Sequence, residues 1–79
     1  MKNSKEIYEV IGANLKQFRK KAGLSQQQLA EKCSVDRSKI SDIENCKENF
    51  MFSTLLEIAN GLNLDIRKLL APLRKIKTE

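Results

Sequence analysis

The chain has 79 residues, 15 of them basic and 10 acidic, with two cysteines, no histidine and a net charge of +5. That length supports one domain with a single modest core and no separate effector domain, so residues 1–79 are expected to be one unit with its core between about 7 and 70. No apolar run approaches the ~20 residues of a membrane span, MKNSKE carries no apolar leader, and two cysteines without histidine make no ordinary four-ligand zinc site. The expectation is a cytoplasmic protein without cofactor, metal or small-molecule effector. The missing histidine, and the lack of a glycine-rich phosphate loop or cleft-sized core, argue against an enzyme. Apolar residues recur at helical spacing and strand-like alternation is absent, which predicts an all-α fold of five helices.

Ser4 is placed to cap a first helix. Its stripe of Ile7, Val10, Ile11, Leu15, Phe18 and Ala22 repeats at three and four residues and stops at Gly23, a C-cap in the left-handed region. The stretch LSQQQLAEKCSVDRSKISDIENC, residues 24–46, then announces two short helices. Ser25 caps the first, Gln28 completes a capping box and Leu24 staples against Leu29; Asp36 caps the second, with Val35 stapling against Ile40. Only Ser34 and Val35 separate Cys33 from that second cap. So short a link forces a sharp crossing, held by Leu29, Ala30, Cys33, Ile40 and Ile43, which is the helix-turn-helix unit used to bind DNA. The second helix presents Arg37, Ser38, Lys39, Ser41, Asp42 and Asn45 outward.

A fourth helix is predicted around Ser53 to Leu62, with Leu55, Leu56, Ile58, Ala59 and Leu62 on its apolar side and Asn63 at its end. Asp65 caps a short fifth helix, where Leu64 and Leu69 are placed to staple and Ile66, Leu69 and Leu70 are available for packing. Pro72 ends or kinks it. The basic tail, residues 73–79, reads either as frayed surface or as an extra phosphate or dimer contact. Cys33 and Cys46 lie on helices that touch, yet reduced thiols are the expectation for a cytoplasmic regulator.

Charge is distributed unevenly. Residues 1–22 carry six basic and two acidic side chains, whereas residues 23–49 carry four basic and five acidic. Phosphate affinity must therefore come largely from the flanks of the motif, although Lys16, Arg19, Lys20 and Lys21 also read as an ordinary solvated helix face.

The spaced set Ile11-Gly12, Leu15-Lys16, Arg19, Gly23, Ser25-Gln26, Leu29-Ala30, Arg37-Ser38, Ile40-Ser41, Ile43-Glu44, Leu55, Ile58-Ala59, Leu62 and Leu69 resembles the phage repressor and Cro family over residues 7–70. Within it, the size and the stretch DRSKISDIE followed by a polar loop are most similar to controller proteins of restriction-modification systems. The resemblance implies a five-helix lambda repressor-like domain that binds a double-stranded operator as a homodimer, associated with the nucleoid and controlling its own operon. It assigns Arg37 and Ser38 to base reading, with Lys39, Ser41 and Asp42 as weaker candidates; a phosphate contact is the alternative for Arg37. Asp42 reads as a filter against wrong sequences. Gln26 matches a phosphate-binding glutamine at a helix N-terminus, and Gln27, Lys16, Lys20, Asn45 and Lys47 are assigned to phosphate as well. Arg19 and Glu44 match a structural ion pair.

Three departures from the family pattern stand out. Ser34 and Cys46 occupy positions where glycine is usual, and Met51 stands where Ser or Thr would cap the fourth helix. Phe50, Met51 and Phe52 are three consecutive large apolar residues in an otherwise exposed loop. One is expected to complete the core and the others, with Leu56, to form the dimer interface. Glu31 lies on the outer side of the second helix, where some family members present acid to RNA polymerase and where a solvated glutamate is the commoner case. The rival readings are an antitoxin that binds its own promoter beside a toxin, and a protein-interaction module that kept the fold.

Overall fold

A computed structural model describes residues 4–47 and 50–72. The tail 73–79 and the side chain of Ser4, the expected first cap, lie outside the described residues. Five helices follow in order: α1 (Ser4–Lys21), α2 (Gln26–Cys33), α3 (Arg37–Glu44), α4 (Phe52–Gly61) and α5 (Arg67–Leu70), with no strand among the described residues. Helix α1 packs on α3 and α5, while α2 packs on α3 and α4.

The helix starts are only partly those expected. Ser25 Oγ accepts from the Gln28 N–H at 3.0 Å and Gln28 Oε1 accepts from the Ser25 N–H at 2.8 Å, so the capping box is closed. Asp36 occupies the N-cap of α3 in extended backbone, but its side chain makes no capping hydrogen bond. Met51 caps α4 with no side-chain bond either, and that helix begins one residue before Ser53. The carboxylate of Asp65 accepts from the Arg67 N–H at 2.9 Å, capping a turn that leads into α5.

The ends of α1 to α4 share one device. Across Gly23, Cys46 and Asn63, at φ of 76°, 66° and 58°, the next residue's N–H reaches back five positions, at 3.1 Å (Leu24 to Arg19), 2.9 Å (Lys47 to Asp42) and 2.8 Å (Leu64 to Ala59). Ser34, at φ 60° and ψ 39°, ends α2 in the same way, with Val35 N–H on the Ala30 carbonyl at 3.1 Å. These are left-handed C-caps that satisfy otherwise orphaned carbonyls. Only one of the four is glycine, so the departures at Ser34 and Cys46 keep the turn geometry at a backbone cost rather than altering it.

The core is Ile11, Leu15, Leu29, Ala30, Cys33, Ile40, Ile43, Leu55, Ile58, Ala59 and Leu69. Two residues of the expected stripe depart from it: Ile7 is 44 % exposed, and Ala22, just past the end of α1, is on the surface. Ile7 instead lines an open groove with Tyr8, Phe50, Phe52, Leu55 and Leu70, which nothing in the described chain covers. Conversely, polar Asn14 is buried at 3 % exposure. Its Nδ2 donates to the carbonyls of Leu69 at 2.8 Å and Ala71 at 2.6 Å, fastening the short α5 to α1. A four-residue helix cannot pair its own last carbonyls, and Asn14 supplies donors that α5 lacks. Both cysteines are free thiols.

Gly12 marks the closest approach of α1 to α3. A Cβ there would lie 2.5 Å from the Ile43 carbonyl oxygen and 3.2 Å from that of Glu44.

Candidate nucleic-acid interface

The geometry of the α2–turn–α3 unit follows from the local chemistry above, and its orientation is set by one buried ion pair. Arg19 Nε donates to Glu44 Oε2 at 2.6 Å and Nη2 to Oε1 at 3.0 Å, while Nη1 reaches the Leu24 carbonyl at 2.8 Å. One guanidinium thus joins the end of α1, the segment entering α2 and the end of α3. The fork matches a carboxylate with two parallel bonds, a geometry lysine does not reproduce. The two side chains retain 9 % and 3 % exposure, so the pair is shielded from water. The hydrogen bond to Glu44 raises the Arg19 guanidinium further above its ordinary pKa, opposed by burial.

On the outer side of α3, Arg37, Ser38 and Lys39 are exposed and Ser41 and Asp42 half-buried. Arg37 and Lys39 have no carboxylate within ion-pairing distance among the described residues, leaving both cations available to an external anion. Asn45 Nδ2 donates to Ser41 Oγ at 3.3 Å, tying two of the expected contact residues together across one helical turn. Lys47 is exposed just beyond, its N–H held by the Asp42 carbonyl at 2.9 Å.

Gln26 is half-buried at the start of α2, and its Nε2 donates to Glu44 Oε1 at 3.1 Å. Gln27 is exposed and pairs with Glu31 at 3.1 Å along the same helix. Lys16 and Lys20, both exposed, lie one turn apart on α1. Lys16 is also one turn beyond Gly12, where α1 meets the end of α3, so this basic stripe borders the motif.

The apolar residues of the 50–56 segment separate into two groups. Phe50 packs against the core and meets Tyr8 edge to face, with ring centroids 5.3 Å apart at 87°. Met51, Phe52 and Leu56 are 70 %, 60 % and 38 % exposed. Ile7 and Leu70, 44 % and 41 % exposed, share the open groove with Phe52 and so extend this face on its side. Sequence reasoning assigned both to packing, because periodicity marks an apolar stripe without saying what covers it.

The helix-turn-helix family model matches residues 15–69, and the chain belongs to that family, the phage repressor and Cro-like DNA-binding domains. Among its relatives, the control protein C.SmaI of Serratia marcescens is 37 % identical over 65 residues, covering 82 % of this chain and 77 % of the relative. The hypothetical transcription factor NHTF from Neisseria superposes with a TM-score of 0.80 at 29 % identity, covering 91 % of this chain and 83 % of that one. The restriction-modification controller protein C.AhdI from Aeromonas hydrophila gives a TM-score of 0.74 at 31 % identity, over 78 % of this chain and 94 % of its own. No helix among the described residues is long and apolar enough to cross a membrane.

Proposed function

We propose that this protein is a homodimeric transcription regulator of the restriction-modification controller type, reading a palindromic operator in the control region of its own operon. The observation that carries the reading is the exposed face of α3, where Arg37, Ser38 and Lys39 project from a helix whose opposite face is buried and whose end is clamped by Arg19. In this reading Arg37 grips O6 and N7 of a guanine and Ser38 reads its neighbour, with Lys39 and Ser41 adding contacts and Asp42 penalising wrong bases. Gln26, Gln27, Lys16, Lys20, Asn45 and Lys47 hold the phosphates on either side, which compensates for the near-neutral motif.

A second copy covers the face formed by Met51, Phe52, Leu56, Ile7 and Leu70. Two-fold pairing would bring two recognition helices into successive major grooves about 34–36 Å apart. Because dimerisation and DNA binding are linked by mass action, protein concentration is the input. Glu31, exposed on α2, is the candidate contact to RNA polymerase.

Selecting bound duplexes from a random pool tests the reading directly, and enrichment of an inverted repeat is the expected result. On that repeat, Arg37→Ala should lower specific affinity by about tenfold or more while changing binding to unrelated duplex far less. Equal losses on both would make Arg37 a phosphate contact. Met51→Glu should give folded monomers in sedimentation, and an unchanged dimer would refute the interface.

A further inference from the structure

We infer that Glu44 is a positioning residue for DNA: through its bond to Gln26 it fixes the amide that meets the phosphate. The inference rests on the DNA-binding reading above. Gln26 Nε2 lies 3.1 Å from Glu44 Oε1, the same oxygen that accepts from Arg19 Nη2 at 3.0 Å. A carboxylate paired with a guanidinium has no proton to give, so chemistry alone settles which end of the amide faces it. The nitrogen points to Glu44 and the oxygen points away.

That assignment has a consequence at the interface. Nε2 carries two N–H groups, one of which Glu44 takes, and the second is left to donate to an anionic acceptor. A phosphate oxygen is such an acceptor. A bare carboxylate beside a phosphate would repel it, but Arg19 holds both oxygens of Glu44 and offsets its charge. Since Glu44 closes α3 and Gln26 opens α2, the bond also holds the phosphate donor in register with the helix that carries Arg37. Gln27 makes a superficially similar bond to Glu31 at 3.1 Å, but both side chains are exposed on one helix face, where such a pair fixes little.

The test uses the full chain and the duplex it selects from a random pool, in a double-mutant cycle of Gln26→Ala and Glu44→Gln. An amide at position 44 accepts or donates and no longer dictates the orientation of Gln26. Gln26→Ala is expected to weaken binding by about tenfold in the parent, the loss of a charge-assisted hydrogen bond, and by less than about twofold in the Glu44→Gln background. Glu44→Asp is the companion should Glu44→Gln fail to fold, since it keeps the charge for Arg19 and withdraws the oxygen from Gln26. In the free protein, the Gln26 side-chain NH2 resonances, identified by their loss in Gln26→Ala, should be shifted from free-amide positions and should return there in Glu44→Asp.

Equal losses in both backgrounds would overturn the inference, as would free-amide resonances in the parent. If the parent retains no duplex, the DNA-binding reading falls and the inference with it, a result distinguishable because the resonances still report the Gln26–Glu44 bond.

Discussion

Replacing Arg19 by methionine is the most demanding test of how the motif is held. Methionine keeps most of the aliphatic stem and removes the guanidinium, deleting hydrogen bonds of 2.6, 3.0 and 2.8 Å in one step. Glu44, whose side chain is 3 % exposed, is then a carboxylate without its counter-charge. Breaking a buried pair from one side costs about 3–5 kcal/mol, because the remaining charge keeps its desolvation penalty and loses its compensation. At about 0.05–0.15 kcal/mol per residue, the whole domain is worth on the order of 4–12 kcal/mol. Arg19→Met should therefore remove a large share of the total and lower Tm by at least about 12 °C. Urea unfolding followed by circular dichroism measures the loss, read from the midpoint at unchanged slope. A loss below about 1 kcal/mol, the worth of an exposed pair, would refute the claim that the protein excludes water there. The double variant Arg19→Met, Glu44→Leu removes both charges and should recover most of the stability. It also removes the acceptor that orients Gln26, so recovered folding with weakened duplex binding is expected.

Gly12→Ala sets helix propensity against packing. Alanine would gain about 1 kcal/mol in α1, but its Cβ would fall 2.5 Å from the Ile43 carbonyl oxygen, and backbone does not yield cheaply. Net destabilisation of about 1–2 kcal/mol is expected in urea, and a stabilised variant would show that α3 can shift freely. Ser34→Gly, at φ 60° in an exposed turn, should stabilise by about 0.5–1 kcal/mol in the same assay as the left-handed strain is relieved, and a destabilised variant would show that serine holds this turn without strain. Asn14→Asp would place a carboxyl group against the carbonyls of Leu69 and Ala71, favouring its protonated form and raising its pKa above the unfolded value. Stability should then be retained in acid and lost as pH rises through that raised pKa, so the deficit against the parent is larger at pH 7 than at pH 4 in urea midpoints. Burial likewise raises the thiol of Cys33, so folding stability should fall as pH climbs above the ordinary thiol range. Iodoacetamide should label Cys46 and spare Cys33 in the native state, and labelling of both at equal rates would contradict its burial.

The family and most helix boundaries were legible in the chain because the signals that set them are local. The Ser25–Gln28 box and the end of α1 at Gly23 each depend on residues within five positions of one another. Where local signals competed, the outcome was less certain. Asp36 has a good capping side chain yet occupies the N-cap of α3 without a side-chain bond, and Met51 has no capping group yet still precedes a helix, because packing of Leu55, Ile58 and Ala59 stabilises α4 without one. The outward residues of α3 could be named for the same reason, since helical periodicity separates them from Ile40 and Ile43.

What the sequence by itself determined is therefore the series of five helices, the tight turn after Cys33 and the set of polar side chains turned outward from α3. Tertiary structure alone decided that Asn14 serves α5 across 55 residues, that Ile7 and Leu70 lie open beside Phe52, and that Gln26 is held by a carboxylate 18 residues away. Caps and periodicity act over one or two turns of chain, whereas those contacts exist only once the helices have packed against one another. A residue's partner across such a distance is set by that packing and by no pattern in its neighbours.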